Sequence, residues 1–406
     1  MPVFSRRAVG LPASPIRKLV PYAEAAKARG TRVYHLNIGQ PDVETPREFF
    51  DAIHAADVRV LAYSHSAGME SLRQEIANYY HRLGYPLGID DVLVTTGASE
   101  ALHFIFTAMM NPGDEVIVPE PFYANYLSFS LGNDASIVPI TSRVEDDFAL
   151  PPMEDFEAKI TDRTRAIMIC NPGNPTGVLY PAEALEHLME LARKHDLFLI
   201  ADEVYREFAY GDHRHQSLLA LADSDDHVVV VDSISKRFSA CGARIGCIVT
   251  RNRTLMELVL KMAQARLSPP TFGQIGATAV YQLPPTYYQG VIGEYEKRRN
   301  LLKSALDQME GVVCPAVNGA FYSMVRLPVD DTDRFCQWML EEFEHEGATV
   351  MMAPGSGFYA TPGLGHDEVR IAYVLNCDDL QKAMDCLAAG LSAYQARHPQ
   401  SASTTS

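Results

Sequence analysis

Between Glu70 and Thr250 the chain alternates two kinds of periodicity. Short runs rich in β-branched and apolar residues read as strands: Val92–Thr95, Glu115–Val118, Ser136–Ile140, Arg165–Cys170, Phe198–Ala201, His227–Val231 and Gly246–Thr250. Between them lie stretches with helical spacing, such as Ser99–Met110 and Ala182–His195, the second following a proline suited to a helix's first turn. This alternation predicts an α/β fold, a mostly parallel seven-stranded sheet flanked by helices.

The pattern changes near residue 285. QLPPTYYQG breaks the chain, and GEYEKRRNLLKSAL after it reads as a long amphipathic helix. The C-terminal part has its own helix–strand pattern. The first 45 or so residues hold no central strand and are expected to pack on it. The predicted division is therefore a large unit, residues 46–287, and a smaller α+β unit formed by both chain ends, residues 1–45 and 288–406. A length of 406 residues favours two units over one core. No internal repeat occurs, and the terminal QSASTTS reads as a frayed tail.

Composition adds exclusions. With 35 basic and 51 acidic residues the formal charge is −16, so no basic footprint for nucleic acid is present. Any anionic ligand must be held by a local cluster of positive groups. The seven cysteines are scattered without a C-x-x-C pair, so neither a metal site nor a disulfide framework is expected. No apolar signal region opens the chain and no run of about 18 apolar residues follows, so a cytoplasmic protein without membrane contact is expected.

In parallel sheets, ligands bind beyond the carboxyl ends of the strands. Four motifs stand there: TGASEA, NPGNPTG, ADEVY and DSISK. In the first, Gly97 permits a tight turn, and Ala98 and Ser99 open a helix whose free amides attract an anion. Lys236 follows the apolar run HVVVV and lies among small residues, where loss of water favours a neutral, nucleophilic amine. Ser233, Ser235 and Arg244 are spaced to hold a phosphate beside it. Asp202 ends a strand, where a carboxylate is costly unless it meets a cation or proton donor. Asn174 precedes a proline in a rigid loop with the makings of a cis peptide.

YSHSAG, TGASEA, PEPFYANY, NPGNPTG, ADEVY, SISKRFSACGARIG and VRIAY, in this order, resemble the class I aminotransferases of fold type I, which use pyridoxal 5'-phosphate (PLP). The likeness runs from about Leu36 to Tyr373. It implies that Lys236 is the Schiff-base lysine and that Asp202 pairs with the cofactor's ring nitrogen. Tyr205 and Asn174 would donate to the ring oxygen, and Tyr123 would stack on the ring. Ala98, Ser99, Ser233, Ser235 and Arg244 would form the phosphate cup. Tyr63 matches a residue that reaches this phosphate across a subunit interface, which implies a symmetric homodimer. Arg370 would bind the substrate α-carboxylate, with Gly39 and Asn174 close by.

The activity implied is ping-pong transfer of an amino group between an L-amino acid and a 2-oxo acid. The alternatives are a PLP β-lyase of the same fold and a non-catalytic PLP-binding regulator. Substrate choice is not read. Arg266 is expected on the surface. Ser99 stands where some aspartate-specific relatives carry a lysine, which weighs against aspartate. Ile16 and Tyr22 belong to the segment that covers the substrate side chain in the family, and His65 is expected at the subunit interface.

Overall fold

The computed structural model describes residues 2–12, 14–221 and 226–398; the expected frayed tail, residues 400–406, lies outside the described residues. Twelve strands occur among them. In chain order they are β1 (Arg32–His35), β2 (Val92–Thr95), β3 (Glu115–Glu120), β4 (Ser136–Thr141), β5 (Thr164–Cys170) and β6 (Phe198–Asp202). Then follow β7 (Val228–Ser233), β8 (Gly246–Val249), β9 (Tyr322–Arg326), β10 (Ala348–Met351), β11 (Ala353–Pro354) and β12 (Glu368–Ala372).

The seven runs read as strands in the sequence form one sheet in the order β2-β8-β7-β6-β5-β3-β4. Only β8 runs against the rest, pairing antiparallel with both β2 and β7. The sheet is apolar on both faces because helices cover both. Along β7, Val228 and Val230 belong to one apolar cluster and Val229 and Val231 to the other. Leu185 and Leu188 of the Ala182–Lys194 helix meet the first face, and Leu102 and Ile105 of the Gly97–Met109 helix meet the second. A strand buried on both sides needs no polar alternation, which is why these runs are continuous.

Both chain ends share a third apolar cluster. Leu19, Ala23 and Leu36 pack with Trp338, Met339, Leu380 and Leu387. Here β1 pairs in parallel with β10, and a separate antiparallel sheet has the order β11-β12-β9. The expected break at QLPPTYYQG is instead a helix start: Pro285–Leu306 begins inside it, with Pro285 in its first turn. Proline suits that position because the first amides of a helix have no intrahelical acceptor. The expected boundary between residues 287 and 288 therefore falls within a helix. Among the described residues no helix is long and apolar enough to cross a membrane.

Candidate active site

Strand register gathers the motifs at one edge of the large sheet. Thr95 is opposite Gly246, and Gly246 is opposite Ser233; Cys170 is opposite Asp202. Beyond this edge lies a cavity of about 520 Å³. Ala98, Ser99, Tyr123, Asn174, Asp202 and Tyr205 line it. So do Ser233, Ser235, Lys236 and Arg244, and from the other layer Gly39 and Arg370.

At one end, the Gly97–Met109 helix points its N-terminal turn at the cavity, with Ala98 and Ser99 on the wall. Opposite stand the hydroxyls of Ser233 and Ser235, 2.8 Å apart, and the exposed guanidinium of Arg244. The backbones are in close contact here. A Cβ at Gly246 would lie 2.5 Å from the carbonyl carbon of Gly97 and 2.6 Å from the amide nitrogen of Ala98. One at Gly97 would strike the Arg244 guanidinium. Free amides, two hydroxyls and a guanidinium form a cradle for a multiply charged anion.

Lys236 lies in the short helix Ile234–Arg237, and its Nζ donates to the Gly39 carbonyl at 2.8 Å. Asp202, only 5% exposed, ends β6. Burial pushes its carboxyl up to about 6, against the opposing pull of the hydrogen bond from Tyr126. The Tyr126 hydroxyl donates to Asp202 Oδ2 at 2.8 Å, and the Val204 amide donates to Oδ1 at 3.3 Å. Across the cavity, Asn174 Nδ2 is 3.5 Å from the Tyr205 hydroxyl, and Asn171–Pro172 and Asn174–Pro175 are both cis.

Arg370, on β12, is buried. Its Nη1 donates to Asn174 Oδ1 at 3.0 Å and its Nη2 to the Asn37 carbonyl at 2.5 Å, while Nε has no partner. Burial lowers its affinity for its proton, yet guanidinium stays charged in proteins. A buried cation with a spare donor is matched to an incoming carboxylate.

The remaining residues singled out in the sequence lie at several places. Tyr63 is 77% exposed and lines no part of this cavity, and His65 belongs to a different pocket, beside Arg73 and Met256. Ile16 lines the cavity, whereas Tyr22 packs into the apolar cluster of the chain ends. Arg266 is not the surface residue expected: it pairs with Glu100 at 2.6 Å and donates to the Ser66 carbonyl at 3.0 Å. Glu100 in turn accepts from the Thr96 amide at 2.7 Å, so Arg266 braces the start of the Gly97–Met109 helix.

Sequence reasoning missed three features. Tyr126 is the second tyrosine of the PFYANY motif, and its spacing of three from Tyr123 was the available signal. Tyr322 carries no motif; its hydroxyl is 2.9 Å from that of Tyr205, and its ring packs on Arg370 at 4.6 Å. Beneath the Lys236 turn, Arg237 pairs with Asp232, both fully buried, and Tyr80 donates to Asp232 at 3.0 Å. Nothing in DSISKR marks that pair as internal.

The family model for aminotransferase class I and II matches residues 31–387. The chain is 30% identical over 395 residues to an aspartate aminotransferase of Geobacillus stearothermophilus, covering 94% of this chain and 97% of the relative. An alanine aminotransferase structure from Pyrococcus furiosus superimposes with a TM-score of 0.89 at 30% identity, over 96% of this chain and 100% of that one. A Thermus thermophilus aspartate aminotransferase with maleate gives 0.86 at 28% identity, over 96% of this chain and 100% of that one.

Proposed function

The chain belongs to the class I and II aminotransferases and is an aminotransferase, and from that premise we propose that it uses PLP and works by two alternating half-reactions. An L-amino acid gives up its amino group and leaves as a 2-oxo acid; a second 2-oxo acid then takes the group up. The observation that carries this reading is the convergence of Lys236, Asp202, Arg370 and the anion cradle on one cavity.

The donor set fits PLP from end to end. The amides at Ala98 and Ser99, the hydroxyls of Ser233 and Ser235, and Arg244 would hold its phosphate. Asp202 would face its ring nitrogen, Tyr205 and Asn174 its phenolic oxygen, Tyr123 its ring face and Lys236 its aldehyde. When bound, PLP supplies an electron sink for the pair released at the substrate Cα. The protein's share is position and proton handling. Asp202, buried and ionised, favours a proton on the nitrogen it faces. Arg370 takes the α-carboxylate with parallel hydrogen bonds and fixes which Cα bond is aligned to break. Lys236 Nζ, within the same cavity, would act as the base that takes the substrate Cα proton. The Arg237–Asp232 pair below holds the turn that carries Lys236.

We further place the chain in the cytoplasm as a symmetric homodimer. An extended segment with exposed Val60, Leu61 and Tyr63 offers the apolar surface for such an interface. In that dimer the partner subunit's Tyr63 would complete the phosphate cradle. The division into units 46–287 and 1–45 with 288–406 is likewise a proposal, supported by the shared apolar cluster of the chain ends.

A single-turnover experiment tests the function. The PLP-loaded protein mixed with one amino acid should release one equivalent of 2-oxo acid, no ammonia, and leave the cofactor as its amine. Ammonia released together with the 2-oxo acid over many turnovers would instead indicate a lyase, and no reaction with any amino acid would indicate a binding protein.

A further inference from the structure

One cation in the cavity has no task in the reaction just described. Arg17, Lys236, Arg244 and Arg370 line the space against a single carboxylate, Asp202. Three of these cations have acceptors. Lys236 donates to Gly39, Arg244 to the Cys241 carbonyl at 3.0 Å, and Arg370 to Asn174 and Asn37. Among the described residues, no hydrogen bond or ion pair engages the guanidinium of Arg17. Its neighbour Lys18 is taken up by Asp333.

The backbone that presents Arg17 is firmly seated. The Arg17 and Lys18 amides both donate to the Ser14 carbonyl, at 3.1 and 3.0 Å, closing a tight turn. Pro15 within that turn is buried against Gly357, where any side chain would overlap it. The Ile16 carbonyl accepts from Asn37 Nδ2 at 2.9 Å, and the Asn37 carbonyl accepts from Arg370 at 2.5 Å. One asparagine therefore ties the segment bearing Arg17 to Arg370. Both guanidinium groups also act on the same phenol, Tyr123, opposing the effect of its burial.

Charge sharpens the picture. A protein of formal charge −16 repels small anions in general, so a cation at the cavity wall without a protein acceptor is a local point of attraction for an anionic ligand. The phosphate end has Arg244 and its amides, and one substrate carboxylate satisfies Arg370. Arg17 remains for a second carboxylate. Ser14, Gln40 and Asn125 supply further polar lining.

We propose that Arg17 is a specificity residue that receives the distal carboxylate of dicarboxylic amino acids and 2-oxo acids while Arg370 holds the α-carboxylate. The assignment rests on the reading of Arg370 given above. Arg17 is exposed in the free protein, where an ion pair is worth little, and the pairing strengthens as a bound substrate displaces water.

The test compares native holoenzyme with Arg17→Gln. Steady-state rates are measured with glutamate and aspartate against alanine and leucine, and calorimetry measures binding of succinate against butyrate, neither of which reacts. The variant should lose about tenfold or more in kcat/KM for the two dicarboxylates, chiefly through KM, and a similar factor in succinate affinity. Alanine, leucine and butyrate should change by no more than about twofold. Unchanged dicarboxylate kinetics, an equal loss with every substrate, or a native enzyme that rejects dicarboxylates would each overturn the assignment. Should the native enzyme turn over no amino acid at all, the reading of the reaction fails, and the succinate titration alone decides Arg17.

Discussion

Tyr126 donates its phenolic hydrogen to the carboxylate of Asp202 across 2.8 Å, and both residues are buried beside the cavity. The bond works against burial. Burial favours the protonated acid, the phenol favours the carboxylate, and the balance leaves the group near 6. Without this donor Asp202 would be less reliably charged at neutral pH, and a charged Asp202 is what the proposed chemistry needs.

Tyr126→Phe should therefore raise the Asp202 carboxyl further. The acid limb of the kcat/KM profile should move upward by roughly one pH unit, the equivalent of one hydrogen bond to a charged group. A pH–rate profile with the native acid limb would show that Tyr126 does not govern Asp202.

Asp202→Asn should trade activity for stability. The folded carboxyl lies near 6, above its ordinary 3.8, so between those values the folded state holds a proton that the unfolded state releases. Ionised Asp202 thus destabilises the cofactor-free fold above about pH 6 and has no such effect below about pH 4. The variant apoprotein should be more stable near neutral pH, by at most about 3 kcal/mol, with the gap closing under acid. Turnover should fall by about 100-fold or more. Denaturant melts of both apoproteins across pH check the stability claim, and a gap that widens under acid would reverse its sign.

Gly246→Ala addresses the anion cradle. The added methyl would meet backbone atoms of Gly97 and Ala98 at 2.5 and 2.6 Å, and backbone cannot step aside as a side chain does. The cost should be about 1–3 kcal/mol of stability, with cofactor affinity lowered at least tenfold because the Ala98 amide is displaced. Fluorescence titration of the apoprotein with PLP measures it; native affinity in the variant would place the phosphate elsewhere.

The large sheet was legible because its strands are buried on both faces and so run as uninterrupted apolar segments, as HVVVV shows. The residues at its carboxyl edge were legible because each follows such a run directly. Burial of charge was not. Arg266 was expected outside, yet it is held by Glu100 and two carbonyls, and sequence spacing does not reveal a partner 166 positions away. Tyr322 enters from β9, an element with no local tie to the motifs it meets. Arg17 stands in SPIRKLVP without a motif, and the Ser14 turn, the seating of Pro15 against Gly357 and the Asn37 bridge to Arg370, all long-range or conformational, hold it at the cavity. The helix legible in GEYEKRRNLLKSAL starts earlier, at Pro285, because Pro-Pro can end one segment and open the next with the same letters.

The central claim is that Lys236 carries the cofactor in the resting enzyme. Borohydride reduction of the PLP-loaded protein, followed by peptide mapping, measures this directly. A single phosphopyridoxyl group on the peptide containing Ser233-Ile234-Ser235-Lys236 is the predicted result. Its appearance on another lysine, or no adduct in saturated protein, would contradict the account.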